Sequence, residues 1–299
     1  MRLFEPKDSP QYSPLPHLEL TEGAVGEAEE KPVSNQRPRR AEKKAYLDAA
    51  QCLATTVSPR DPSVTIHDEL SLLHSRTGNY SHNAAPFLPW HRYFIHAYEQ
   101  ALHTHCNYTG TLPYWDWTLD HTNLLLSPIW DPNQGFGSNG TGPPSVAGGH
   151  CIQDGPFSGL TVSYFEGNYH PHCLSRGFLN EETIQRVGNL TVRPAVHKDI
   201  IIQSSKYFDF LLAVEQMSHL TIPYIVQGDF SKVTAPNGTE RKGQYNGLSG
   251  IEGIEEAGVM DWLEFGGVVA ESLRVADVMD TEGEVLCYQY DVDAVTGNI

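Results

Sequence analysis

The sequence predicts a mainly α-helical domain, and three observations carry that prediction. Apolar residues recur at helical spacing in several separate stretches, Thr65-Ile66-His67-Asp68 has the Thr-x-x-acid form of a capping box, and Pro86 and Pro89 stand at the entry to the longest periodic run. At 299 residues and 39% hydrophobic content, the chain can bury a sizeable core in one large domain.

Taken in order, residues 1–36 carry five prolines, seven acidic side chains and few apolar ones, so they read as a disordered, acidic, Pro-rich arm; the domain proper spans 37–299. RPRRAEKK (Arg37 to Lys44) is a solvated helix start rather than a nuclear signal, given the acidity of the whole chain. From Ala41, a helix carries Ala45, Leu47, Ala49, Ala50 and Leu53 and stops near Ser58-Pro59. The capping box opens a helix over DELSLLH that ends before Gly78. Pro86 and Pro89 keep the chain extended up to Trp90, where the next helix begins and runs to about His103.

Residues 119–176 are dense in Gly, Pro, Asn and Ser, a surface excursion folded over the core. GFGSNG within it fits G-x-G-x-x-G by letter, but no strand precedes it and no helix follows, so it is not a dinucleotide site. Helical periodicity returns over Glu181 to Val187 and again over Ser205 to Thr221, where Phe208, Leu211, Leu212, Glu215 and His219 share a face. Beyond Val268 the pattern turns to short β-like alternation.

Charge and cysteine content narrow the partners. The balance of 20 basic against 37 acidic residues gives a net charge of -17, which repels nucleic acid and anionic lipid. No apolar run is long enough to span a membrane. The opening residues lack the apolar core of a signal peptide, yet Asn-x-Ser/Thr recurs at Asn79, Asn107, Asn139, Asn189 and Asn237. The expectation is a secreted glycoprotein whose export signal lies upstream. Five cysteines form no C-x-x-C pair; Cys151 with Cys173 is the expected disulfide, because both lie in loop sequence where a staple helps most, with free thiols as the alternative.

Fourteen histidines, twelve of them between His67 and His197, ask for a reason. His67 and His74 lie seven apart on one helix, about 10.5 Å along its axis, too far to share an ion. His74 at the helix end, His82 in the following loop and His91 at the start of the next helix can converge, and three imidazoles suit copper or catalytic zinc. The alternative is that His74 caps its helix and His91 bonds a loop carbonyl. Arg92 and Glu99 share a face as an ion-pair scaffold, His103 and His105 face solvent, and His170-Pro171-His172 is a weaker chelating pair.

SHNAAPFLPWHRYFIHAYEQAL followed by GTLPYWDW resembles the first copper site of the tyrosinase and catechol oxidase family, in its short fungal branch. The His-x8-His spacing of His82 and His91, the FLPWHR core, Glu99 and PYWDW occur in order; DELSLLH places the first ligand at His74, and LCYQY resembles the Tyr-x-Tyr that closes the family's core. The resemblance covers Arg37 to Tyr290. It implies a tyrosinase-like four-helix bundle core with long irregular loops and a few short strands. It also implies two copper ions on three histidines each, dioxygen as oxidant, and phenols or o-diphenols oxidised to o-quinones.

The resemblance breaks at the second site. The family takes a His-x3-His pair there and a third histidine from a later His-His dipeptide. VEQMSHLTIP puts His219 at the first of these positions and Pro223 at the second, and no histidine follows His219. Proline cannot ligate and removes a helical N–H, so the helix is expected to fail at Pro223. A segment between about Asn237 and Tyr245 reads as missing, leaving the second site truncated around 223–245 and this form with one copper or fewer. Glu215, one turn before His219, either chelates with it or accepts its hydrogen bond; His197 is a further candidate without positional support. The alternative to an oxidase is a catalytically silent secreted glycoprotein that retains only the first copper site.

Overall fold

Helices form where the apolar period lies, and their packing sets the scaffold. The computed structural model describes residues 2–6, 40–232, 257–267 and 269–290. Helices α1 (Arg40–Thr55), α2 (Ile66–Ser81) and α3 (Phe87–Cys106) pack against one another pairwise. α1 buries Tyr46, Leu47, Ala49, Ala50, Leu53 and Ala54, the apolar stripe of its sequence. Tyr46, Ala49 and Leu53 join Leu70 and Leu73 of α2 and Trp90, Tyr93, Ala97 and Leu102 of α3 in the main core.

α2 opens on the predicted capping box: the Thr65 side chain accepts the Asp68 N–H at 3.1 Å, and the Asp68 carboxylate accepts the Thr65 N–H at 2.9 Å. That carboxylate also receives Ser163 N–H and Oγ–H, each at 2.9 Å, which ties the hairpin of strands Thr161–Phe165 and Asn168–Cys173 to the helix. α2 does not stop before Gly78 but runs on to Ser81. One interior glycine costs roughly 1 kcal/mol, less than the packing of a buried turn recovers. α3 likewise begins three residues before Trp90, because Pro86 adopts helical dihedrals instead of holding the chain extended.

The second half follows with α4 (Glu181–Thr191), α5 (Pro194–Gln203), α6 (Tyr207–Ala213) and α7 (Leu220–Val226). Between α6 and α7 the residues Val214–His219 form one wide turn, in which the Leu220 N–H reaches back to the Glu215 carbonyl. The helix therefore does not fail at Pro223. Pro223 lies inside α7, and the wide turn immediately before that helix shifts the hydrogen-bond register, the kind of local adjustment that lets a helix carry an interior proline. Ile222, Ile225 and Val226 then pack with Leu124, Ile184 and Val192 in a second core.

Arg2–Pro6, expected to be part of a disordered arm, forms the middle strand of a three-stranded antiparallel sheet between Pro113–Tyr114 and Tyr288–Tyr290; residues 7–39 lie outside the described residues, as does Asn237–Tyr245. The expected alternation after Val268 resolves into two short strands, Leu273–Arg274 and Tyr288–Tyr290, with a tight turn at Val275–Val278. Arg92 and Glu99 do not pair with each other: Arg92 donates to the Val278 carbonyl at 2.8 Å, and Glu99 accepts the Leu112 N–H at 2.6 Å. Each anchors α3 to a different segment. His103 does not face solvent alone but lies 3.0 Å from the Gly110 carbonyl.

The excursion is held by the predicted Cys151–Cys173 disulfide, while Cys52–Cys106, which no spacing in the sequence signals, joins α1 to the end of α3. In the glycine-rich loop the carbonyls of Phe136, Gly137 and Ser138 turn inward to the Arg176 guanidinium at 2.6 to 2.9 Å. A loop that presents carbonyls is no anion cradle. No helix among the described residues is long and apolar enough to cross a membrane.

Candidate metal centre

α2, the bend after it and α3 bring the three predicted histidines to one point. The ligating nitrogens of His74, His82 and His91 all lie within 4.8 Å of one another. His74 and His82 are 8% and 2% exposed, and His91 is half-buried. His74 sits in mid-helix rather than at the helix end. Convergence is achieved by His82, whose ring turns back along α2 until Nδ1 lies 3.1 Å from the Gly78 carbonyl. His91 Nδ1 lies 2.7 Å from the Phe87 carbonyl. A proton on each Nδ1 donates to these oxygens and leaves each Nε2 lone pair for the centre, the outer-sphere pattern of metal-ligating imidazoles. His74 Nε2 and His91 Nε2 stand 3.1 Å apart.

Aromatic rings build the wall. His74 packs near-parallel against the Trp90 and Phe94 rings, with centroids at 5.8 and 5.4 Å, and those two stack on each other at 5.0 Å; Phe87 packs on both His82 and His91 at 5.6 and 4.7 Å. Burial in this apolar shell, reinforced by neighbouring His219, pushes the His74 pKa down to about 4. Burial, then His82 and His74, holds His91 well below the ordinary value, and burial alone takes His219 to about 4. Neutral imidazoles are what a copper or zinc ion needs, so the residues fit the metal the sequence implies.

These shifts set a pH dependence for metal-free protein. An unfolded histidine takes its proton near 6.5, whereas folded His74 and His219 resist until about 4, so the unfolded chain binds more protons between these values. Stability is full above about pH 6.5 and is lost as the pH falls towards 4. Thermal unfolding of metal-free protein across that range should show the fall, and His219→Leu, which removes one buried imidazole, should flatten it.

His219 reaches the same cavity from the wide turn. Its ring lies 5.7 Å from His82, 6.1 Å from His91 and 5.2 Å from Phe87, and its Nε2 is buried with no hydrogen-bond partner among the described residues. Glu215 neither chelates with His219 nor accepts its hydrogen bond. Its carboxylate, 0% exposed, takes the Asn83 N–H at 2.7 and 2.8 Å and Asn83 Nδ2 at 3.0 Å. Gln216 Nε2 donates to the Asn83 side-chain oxygen. Sequence reasoning missed this clamp, which fixes the residue after His82 in a left-handed conformation at φ 48°.

The remaining histidines lie elsewhere. His197 Nε2 pairs with Ser218 Oγ at 2.9 Å, behind the wide turn rather than in the cavity. His172 does not chelate with His170; its Nε2 meets the Asp229 carboxylate at 2.7 Å.

Known proteins share this arrangement of elements. The family profile for the common central domain of tyrosinase matches residues 58–237. The tyrosinase-like protein phomQ1 of Diaporthe leptostromiformis is 35% identical over 288 residues, covering 82% of this chain and 73% of that protein. Tyrosinase ustQ of Aspergillus flavus is 36% identical over 274 residues, covering 84% and 76%. Among solved structures, a single-residue variant of a polyphenol oxidase from Thermothelomyces thermophila superposes with a TM-score of 0.69 at 22% identity, covering 84% of this chain and 86% of that one. At that identity the likeness speaks for the helical fold alone.

Proposed function

Because the chain belongs to the tyrosinase family, and is by that membership a copper oxidoreductase, we propose that it oxidises phenols or o-diphenols to o-quinones with dioxygen, using copper held by His74, His82 and His91. The observation that carries this reading is the meeting of three neutral imidazoles inside an aromatic shell. In the overall balance, two o-diphenols each lose two electrons and two protons, and one dioxygen takes up all four of each to leave two waters. Copper bound there supplies the path for those electrons.

The chain's own residues do the rest. The carbonyls of Phe87 and Gly78 hold the His91 and His82 rings in the tautomer that offers Nε2 inward. Phe87, Trp90 and Phe94 exclude water and keep the imidazoles unprotonated. Their apolar faces suit an aromatic substrate ring.

The test is copper loading followed by oxygen uptake and quinone absorbance with 4-methylcatechol. Uptake that disappears in His82→Ala supports the reading. Bound copper without any uptake favours the second reading, a protein with only the first site, for which Pro223 and the lack of any histidine after His219 speak. Export is part of the proposal. Two disulfides suit an oxidising compartment, and Asn107 and Asn189, both exposed, offer sequons a glycan can reach.

A further inference from the structure

Asn139 differs from the exposed sequons in where the fold puts it. Asn107 and Asn189 stand in solvent, whereas Asn139 is half-buried and lines a surface groove of about 650 Å³, a volume typical of small-ligand sites. Leu126, Pro128, Trp130, Phe178 and Leu179 form the apolar part of its wall, and Leu126 is 78% exposed. Contiguous apolar surface left in water is unfavourable, so what covers the groove matters.

Asn139 itself supplies the cover. Asn139-Gly140-Thr141 fits the acceptor pattern for an N-linked sugar. The Asn139 side-chain oxygen accepts the Gly140 N–H at 2.9 Å and the Phe178 N–H at 3.0 Å, which fixes which end of the amide is which. Gly140 keeps the backbone tight beneath it, since a Cβ there would stand 2.0 Å from the His150 carbonyl oxygen. The amide nitrogen, the atom that carries sugar, takes part in neither bond. A sugar on Nδ2 leaves the amide oxygen in place, so both bonds survive glycosylation.

The wall beside this amide is stiff. Trp130 donates Nε1–H to the Leu124 carbonyl at 2.9 Å, carries the Arg176 guanidinium 5.2 Å from its ring centre and meets Phe178 edge-on at 5.0 Å. A pyranose ring has an apolar C–H face, and a fixed aromatic wall receives such a face with little loss of side-chain freedom. Trp130, Phe178 and Leu179 also pack on the second core, with Ile184, Ile222 and Ile225. Covering the groove therefore bears on the stability of that half of the domain.

We propose that Asn139 carries an N-linked glycan whose first sugars lie in this groove and cover it. This rests on the reading of the chain as an exported glycoprotein. It is independent of the metal centre.

The experiment expresses the chain behind a signal peptide in a eukaryotic secretory host and maps its glycopeptides by mass spectrometry. Sugar on Asn139 is expected, and endoglycosidase should release it from native protein severalfold more slowly than from Asn107 or Asn189, the rates becoming equal after unfolding. Thr141→Ala abolishes the sequon without altering Asn139 and should lower the thermal midpoint by about 2–4 °C. Thr109→Ala, which does the same for Asn107, should leave the midpoint in place. In a Leu126→Ser background the Thr141→Ala shift should shrink, because the groove has lost part of its wall. A bare Asn139 in protein glycosylated at Asn107 or Asn189 would overturn the proposal. So would sugar on Asn139 that leaves native protein as fast as the others, with no shift in Thr141→Ala. Protein without sugar at any sequon would overturn the glycoprotein reading beneath the proposal as well.

Discussion

Trp90→Ala is expected to cost about 3–5 kcal/mol and to weaken metal binding in the same step. The indole is 0% exposed and works on two sides. On one, it stacks on Phe265 at 5.2 Å and donates Nε1–H to the Glu264 carbonyl at 3.2 Å, which holds the C-terminal segment on α3. On the other, it lies parallel to His74 and fixes that ring from behind. Alanine leaves a cavity, a carbonyl without its donor, and an imidazole with room to rotate. Denaturant midpoints with and without copper measure both effects. Trp90→Phe keeps a ring in place and loses the N–H, so it should give up only part of the stability and retain copper. Wild-type stability in the alanine variant would mean that the indole does not join the two halves.

Glu215→Ala should act further from the ion and show it more plainly. The carboxylate is the acceptor for the Asn83 N–H, and Asn83 follows His82 directly in a backbone conformation most side chains avoid. Removing the acceptor leaves a buried donor unsatisfied, a loss of about 2–3 kcal/mol for a charge-assisted bond. The bend then relaxes and His82 loses its aim, so copper affinity should drop roughly 10- to 100-fold, the usual effect of losing an outer-sphere partner. Glu215→Gln preserves the shape and one acceptor oxygen and should fall between. Competition with a copper chelator gives the affinity, and unchanged affinity in the alanine variant would show that Asn83 holds the bend unaided.

Much of the centre is readable from the residues because it is local. His74, His82 and His91 lie within 17 positions, and helix rise decides which of them can meet. The capping box at Thr65 and Asp68 is local in the same way. What stays hidden depends on distant parts of the chain. Asn83 and Glu215 are 132 residues apart, and no spacing rule links them. Cys52 pairs with Cys106 only because α1 lies against α3, a fact of packing rather than of either sequence neighbourhood. The wide turn leaves no compositional mark, since one extra residue per turn changes hydrogen-bond register but not polarity. Without it, proline at 223 argues for a broken helix; with it, the proline is accommodated.

The Cys52–Cys106 bond has a consequence for the order of events along the chain. It closes a loop of sequence separation 54, and His74, His82 and His91 all lie inside that loop, together with α2 and most of α3. These are short-range contacts, the kind that form early because little chain entropy is lost in bringing them together. His219 and its wide turn arrive from 128 residues beyond His91. The three imidazoles therefore constitute a unit that can gather before the rest of the domain has closed, and the wall that His219 adds beside His82 and His91 comes only with the second half of the chain.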